Sequence, residues 1–130
     1  MTDRQEIAGA EAGKGYFPPV GDQVLREVAA RLDSQLRRSD VIGRYGGEEF
    51  VIILPHTDMS AGAQVMERVR KAVAGRPISL PEQELRISLT VSIGLVEYPK
   101  DGHNGPALIA AADQAMYRAK ARGRDQVAVD

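Results

Sequence analysis

The chain contains no cysteine, so it has no disulfide, no thiol chemistry and no cysteine-based zinc site. Histidine is nearly as scarce. His56 and His103 lie far apart and have no metal-ligand spacing. Charge of one sign is also lacking: 17 Lys and Arg stand against 18 Asp and Glu, a net charge of −1. That balance excludes the basic footprint of a nucleic-acid binder and the polybasic patch of a membrane-surface protein. No apolar run approaches the roughly 20 residues needed to cross a bilayer. The polar first residues lack the apolar core of a signal peptide. The expectation is a cytoplasmic protein, or a cytoplasmic piece of a longer one, without nucleic-acid or membrane partners. No internal repeat is present.

What is there suits one domain with one modest core: 130 residues, 43% hydrophobic and 27% charged. The chain is organised around Arg37 to Leu54, RRSDVIGRYGGEEFVIIL. Val41-Ile42 opens a short apolar run, and Phe50 to Leu54 is a near-continuous one. The second has the pattern of a strand buried on both faces. Between them Tyr45-Gly46-Gly47 signals a turn, since two glycines take positive φ at little steric cost. Glu48 and Glu49 sit where the turn becomes the strand. A loop tip without bulky side chains admits a phosphate or another backbone, and adjacent carboxylates hold a divalent cation.

Taken in order, residues 1 to 20 are rich in Gly, Ala and charge, end near Pro18-Pro19, and show no strand pattern. Gly13-Lys14-Gly15 lacks the glycine spacing, the following Ser/Thr and the preceding strand of a phosphate loop. Asp22 to Arg37 predicts an amphipathic helix with Val24, Leu25, Val28, Leu32 and Leu36 on one face and Asp22 as N-cap. Ser60 to Ala74 predicts a second helix, capped by Asp58 or Ser60, with Met66, Val69 and Val73 inward. Leu85 to Val96 alternates as a strand with a bend at Ser92-Ile93-Gly94. Pro106 to Arg122 predicts a third helix, and Gln126 to Val129 a closing strand.

Gly46-Gly47-Glu48-Glu49-Phe50 resembles the GGDEF/GGEEF signature of diguanylate cyclases, which condense two GTP into cyclic di-GMP. The resemblance extends from Gly21 to about Val129. It includes Gly21-Asp22, the Val91-Ser92-Ile93-Gly94 run, and Ala112 to Arg124, which is similar to the family's ADxAxYxAKxxGR segment. It implies an α/β (α+β) fold, a ferredoxin-like palm-type sheet flanked by helices, over residues 21–130. It also implies Mg²⁺ or Mn²⁺ as cofactor, GTP and cyclic di-GMP as ligands, and a homodimer for activity.

Residue by residue, the resemblance implies catalytic roles for Glu48 and Glu49. Glu49 is the metal ligand, and Glu48 is a base or second ligand. GTP contacts fall to Asp22, Gly46, Gly47, Lys120 and Arg124. Asp22 would pair with guanine, and the two cations with the triphosphate. Arg37-x-x-Asp40, with five residues between Asp40 and Gly46, is similar to the family's inhibitory site for cyclic di-GMP, joined by Arg68. Each has a plainer reading. Asp22 caps a helix, and Arg37 and Arg38 complement a helix C-terminus. Lys120 does the same, while Arg68 and Arg70 are solvated charges.

The family's first strand carries a DxDxFKxxND pattern, whose first Asp binds metal and whose Asn helps hold guanine. Residues 1–20, a flexible or atypical segment on this reading, lack that pattern. The first strand is therefore expected to be missing or replaced. The alternatives are a gap, a poor substitute from the N-terminal tail, or a strand lent by a second chain. Two functions follow: a cyclase impaired by loss of the first-strand Asp, or a degenerate module that binds cyclic di-GMP through Arg37, Asp40 and Arg68.

Overall fold

The structure is a computed structural model and describes residues 2–8 and 18–129. The elements are β1 (Thr2–Ala8), α1 (Pro18–Asp33), β2 (Val41–Arg44), β3 (Glu49–Ile53), α2 (Met59–Ala74), β4 (Ile78–Leu80), β5 (Leu85–Ile87), β6 (Thr90–Val96), α3 (Gly105–Ala121) and β7 (Val127–Val129). Five strands form one sheet in the order β2-β3-β1-β6-β7, and β4 and β5 form a separate hairpin. Within the large sheet β6 and β7 are parallel and the other neighbours antiparallel. The fold is α/β, of the ferredoxin-like palm type expected.

The first strand is supplied by the N-terminal tail, one of the three alternatives above, although no strand was read in that segment. Thr2–Ala8 is central in the sheet, pairing with β3 on one side and with β6 on the other. TDRQEIA carries no apolar alternation, so its pattern predicts no strand. Its place follows from backbone hydrogen bonding to two neighbours, which local propensity does not report. The gap and the borrowed strand are therefore not what is observed. The family's DxDxFKxxND pattern is still absent from it. Gly13-Lys14-Gly15 lies outside the described residues.

The helices cover both faces. Val20, Val24, Val28 and Leu32 of α1 and Met66, Val69 and Val73 of α2 pack with Phe50, Ile52, Val91, Ile93 and Leu95 into the main core. The other face of β6 meets α3 through Val96, Leu108 and Ala112, while Ala115 and Ala119 of α3 meet Ala128 of β7. This reverses the reading of two strands. Phe50 to Leu54 is buried on one face only: Phe50, Ile52 and Leu54 are inside, and Ile53 is 42% exposed. β6 is the strand buried on both faces, because Ser92 and Gly94 are small enough for α3 to approach. Gly94 makes a close approach and not a bend.

Local signals set the helix ends. Asp58 Oδ1 accepts from the Ala61 nitrogen at 2.8 Å and Asn104 Oδ1 from the Ala107 nitrogen at 2.8 Å. At the other end of α2, the buried Arg31 of α1 donates to the carbonyls of Val73 (2.8 Å), Arg76 (2.6 Å) and Pro77 (3.1 Å). Those carbonyls lie where an α-helix runs out of internal donors. Arg31 thereby locks α1 against α2. The long strand read over Leu85 to Val96 is divided in the structure, with β5 turning away to pair with β4.

Candidate active site

Register places the signature turn, with Glu48 and Glu49, at one end of the sheet, whereas Arg37 and Asp40 precede β2 at the other. Glu49 is opposite Glu6, Glu6 is opposite Ser92, and the next residue, Ile93, is opposite Val127. The Gly46-Gly47 turn, the end of β1 and the loop entering β7 thus share an edge, with β3 and β7 three strand spacings apart, about 14 Å. β1 runs towards this edge and α1 returns from it, so Asp22, near the start of α1, belongs to the same end.

The turn is held by its own backbone and by Arg44. The nitrogen of Tyr45 donates to the Glu49 carbonyl at 2.8 Å. Arg44 Nε donates to Gly46 O at 3.2 Å and Nη2 to Gly47 O at 2.6 Å. With two turn carbonyls engaged by one guanidinium, the loop tip is fixed. Glu49 is half-buried and its carboxylate lies over Gly46, where an added Cβ would be 2.9 Å from Oε2. A side chain at Gly46 would displace that carboxylate. Glu48 is also half-buried, while Gly47 is exposed and open around its Cα.

Asp22 is not an N-cap. α1 begins at Pro18, so Asp22 lies inside its second turn, in an exposed ion pair with Arg26 at 2.9 Å. Pro18-Pro19 starts the helix because proline suits the first turn, where its missing N–H is not needed. Asp22 borders a cleft of about 240 Å³ between α1 and the β2–β3 hairpin, with Leu25, Arg26, Ala29, Ile42, Gly43, Arg44 and Phe50 as its other walls. An apolar slot with a carboxylate at its rim suits a flat base with N–H donors on its edge. Lys120 is in the last turn of α3, and Arg124 is exposed in the loop beyond it.

Arg37 and Asp40 meet directly. Arg37 Nη2 donates to Asp40 Oδ1 at 3.0 Å and Nε to Oδ2 at 3.3 Å, and the Arg37 backbone nitrogen donates to Oδ2 at 2.7 Å. Nη2 also reaches Thr57 Oγ1 at 2.7 Å and Pro55 O at 3.2 Å. Burial pushes the Asp40 carboxyl up. The side-chain and backbone hydrogen bonds from Arg37 outweigh it and hold the carboxyl below its ordinary value. The Arg37 guanidinium is raised in turn, chiefly by its hydrogen bond to Asp40. Arg68 is exposed on α2 and makes no ion pair or hydrogen bond among the described residues. The structure assembles the Arg37–Asp40 pair.

Glu48 and Glu49 offer the hard oxygen donors that magnesium or manganese takes, and Glu6 stands at the register position opposite Glu49. Among the described residues no three His, Asp or Glu side chains converge on a metal-sized site. Magnesium takes one or two carboxylates and completes its shell with water and substrate phosphate, so the donors fit such an ion.

Sequence reasoning missed Arg44 and the Arg70–Asp125 link. An arginine abutting a double-glycine turn was the available signal for the first. The apolar walls Leu25, Ile42 and Phe50 were legible as apolar positions of a helix and two strands, not as a cleft.

Residues 18–126 match the family model described as diguanylate cyclase, GGDEF domain. The chain is 44% identical over 109 residues to diguanylate cyclase DgcP of Pseudomonas aeruginosa, covering 84% of this chain and 16% of that protein. It thus spans about a sixth of that relative's length. The GGDEF domain of YfiN (TpbB) from Pseudomonas aeruginosa superposes with a TM-score of 0.91 at 28% identity, over 98% of this chain and 80% of the other. The GGDEF domain of DgcB from Caulobacter crescentus, solved in complex with cyclic di-GMP, gives 0.84 at 29% identity, over 98% and 75%. With the signature turn, the central antiparallel ladder and most of the length matched, the chain belongs to the GGDEF domain family of diguanylate cyclases.

Proposed function

We propose that this domain binds GTP with its base in the cleft between α1 and the β2–β3 hairpin, and joins two GTP into cyclic di-GMP as a homodimer. The carrying observation is the shared edge: the Arg44-clamped turn, Glu49, the start of α1 and the loop after α3 all lie at one end of the sheet. Asp22 accepts from the N1 and N2 donors of guanine. Gly46 and Gly47 give the phosphates a bare backbone to approach, and Lys120 and Arg124 hold the triphosphate.

In each half-reaction a ribose 3′-hydroxyl attacks an α-phosphorus. A phosphodiester bond forms, the bond to the β-phosphate bridge breaks, and pyrophosphate leaves. Two such events close the ring, and each needs a second nucleotide-loaded domain opposite. When bound, Mg²⁺ or Mn²⁺ neutralises charge developing on the phosphate oxygens. Glu49 would hold that ion, and Glu48 would take the hydroxyl proton or share the ion. Without the family's first-strand acidic pattern turnover falls well below that of an intact site. The cytoplasm, where GTP is available, is the proposed location; among the described residues no helix is long and apolar enough to cross a membrane.

Calorimetry with GTP and ATP tests the nucleotide site. GTP should bind more tightly, and Asp22→Ala should erase the preference. Equal binding of the two by the unaltered domain would remove Asp22 as guanine reader.

A second reading rests on the preformed Arg37–Asp40 pair. The guanidinium is already oriented, with its planar face available to stack on a purine. This favours a cyclic di-GMP site that works whether or not the domain turns over GTP.

A further inference from the structure

Arg70 is not a solvated charge. It lies on α2 with its side chain 18% exposed, and its Nη1 donates to Asp125 Oδ1 at 2.8 Å, 55 residues away in sequence. Its Nε and Nη2 are engaged by Glu67, one turn earlier on the same helix. Asp125 ends a run of three successive residues with positive φ: Gly123 at 112°, Arg124 at 65° and Asp125 at 47°. The left-handed region is unfavourable for residues other than glycine, so Arg124 and Asp125 keep it only where contacts impose it. Those contacts are the Arg124 nitrogen to Ala119 O at 2.9 Å, and Gln126 Nε2 to the carbonyls of Arg122 and Arg124, both at 3.1 Å. The tie from Asp125 to Arg70 anchors the run to a different helix.

We propose that Arg70 and Asp125 are positioning residues for the triphosphate end of the nucleotide, acting by holding the Gly123–Asp125 loop in the conformation that presents Arg124. This rests on the nucleotide reading above, in which Arg124 meets the triphosphate. The backbone of Arg124 is bracketed by a hydrogen bond at its own nitrogen and an ion pair at the next residue. Removing the ion pair frees the strained loop to relax, and the backbone that carries Arg124 is then no longer held in the one conformation that presents its side chain. The effect is confined to ligands that carry β- and γ-phosphates. A guanine base in the α1–β2–β3 cleft is bounded by residues that Arg70 does not touch.

The test is calorimetric titration with two probes: GMP, and a GTP analogue with a methylene between its α- and β-phosphorus, which cannot release pyrophosphate. Arg70→Ala should weaken the analogue about tenfold, as expected for one charge-assisted contact, and leave GMP unchanged. Asp125→Ala should do the same while the Arg70–Glu67 pair stays intact, which keeps the test valid if Arg70→Ala fails to fold. Asp125→Asn should restore most of the affinity, because its amide oxygen accepts the same hydrogen bond. Equal weakening of both probes would mark a merely structural role and overturn the proposal, as would unchanged analogue binding in both alanine variants. An unaltered domain that binds neither probe would overturn the nucleotide reading as well, so the two failures are distinct.

Discussion

Gly94 and Ala112 pack backbone to backbone: a Cβ on Gly94 would lie 2.1 Å from the Ala112 carbonyl oxygen, and 2.6 Å from the Met116 nitrogen. Neither atom belongs to a side chain that can turn away. Gly94→Ala must therefore push α3 off β6, at a cost of about 3 kcal/mol. For a domain of this size that lowers Tm by about 10 °C. A thermal melt of the variant within a degree or two of the unaltered domain would show that α3 sits further from the sheet.

Arg31 should be the most costly charged residue to remove from α1. Arg31→Met keeps much of the aliphatic bulk and deletes the donors to Val73, Arg76 and Pro77. The orphaned carbonyls predict a loss of about 3 kcal/mol in urea unfolding. Arg26→Met, at an exposed ion pair, should change stability by less than about 0.5 kcal/mol.

The Arg37–Asp40 pair predicts an acid-side signature. The folded Asp40 carboxyl sits below its ordinary value of 3.8. Its contribution to stability is full above that unfolded value and is lost as pH falls through the lower folded value. Unfolding midpoints followed from pH 6 down to pH 2.5 should show Asp40→Asn less stable than the unaltered domain at the upper end, with the gap closing at the lower end. A constant gap would mean that Asp40 acts through shape and not charge.

Much of this was legible in the sequence, and the parts that were not share a cause. The Phe50, Val69 and Leu108 faces follow from apolar spacing, and Asp58 caps where such a residue caps, while the cap at Asn104 went unread. Although neither glycine takes the positive φ invoked for it, the Gly46-Gly47 turn announces itself by glycine. Thr2–Ala8 does not, since a mostly polar segment becomes a strand only through two partners distant in sequence. Asp22 looked like a cap because the apolar period begins at Val24, while the helix is started by Pro18. Arg70 was read as a solvated charge and Arg31 was passed over, because a side chain's destination 55 or 42 residues away leaves no periodic trace.

Cyclic di-GMP should bind without added metal through the Arg37–Asp40 pair, and Arg37→Ala should abolish that binding. Calorimetry in the presence of a chelator reads this directly. Binding that survives Arg37→Ala would place the dinucleotide elsewhere on the domain.

The central claim is chemical, and one assay meets it most directly. The purified domain at high concentration, which favours pairing, is incubated with GTP and Mg²⁺ and the products are separated by chromatography. The account predicts slow formation of cyclic di-GMP that stops on omission of Mg²⁺ and on Glu49→Ala. Cyclic di-GMP formed at the same rate by Glu49→Ala, or none formed by the unaltered domain under any loading, would contradict it.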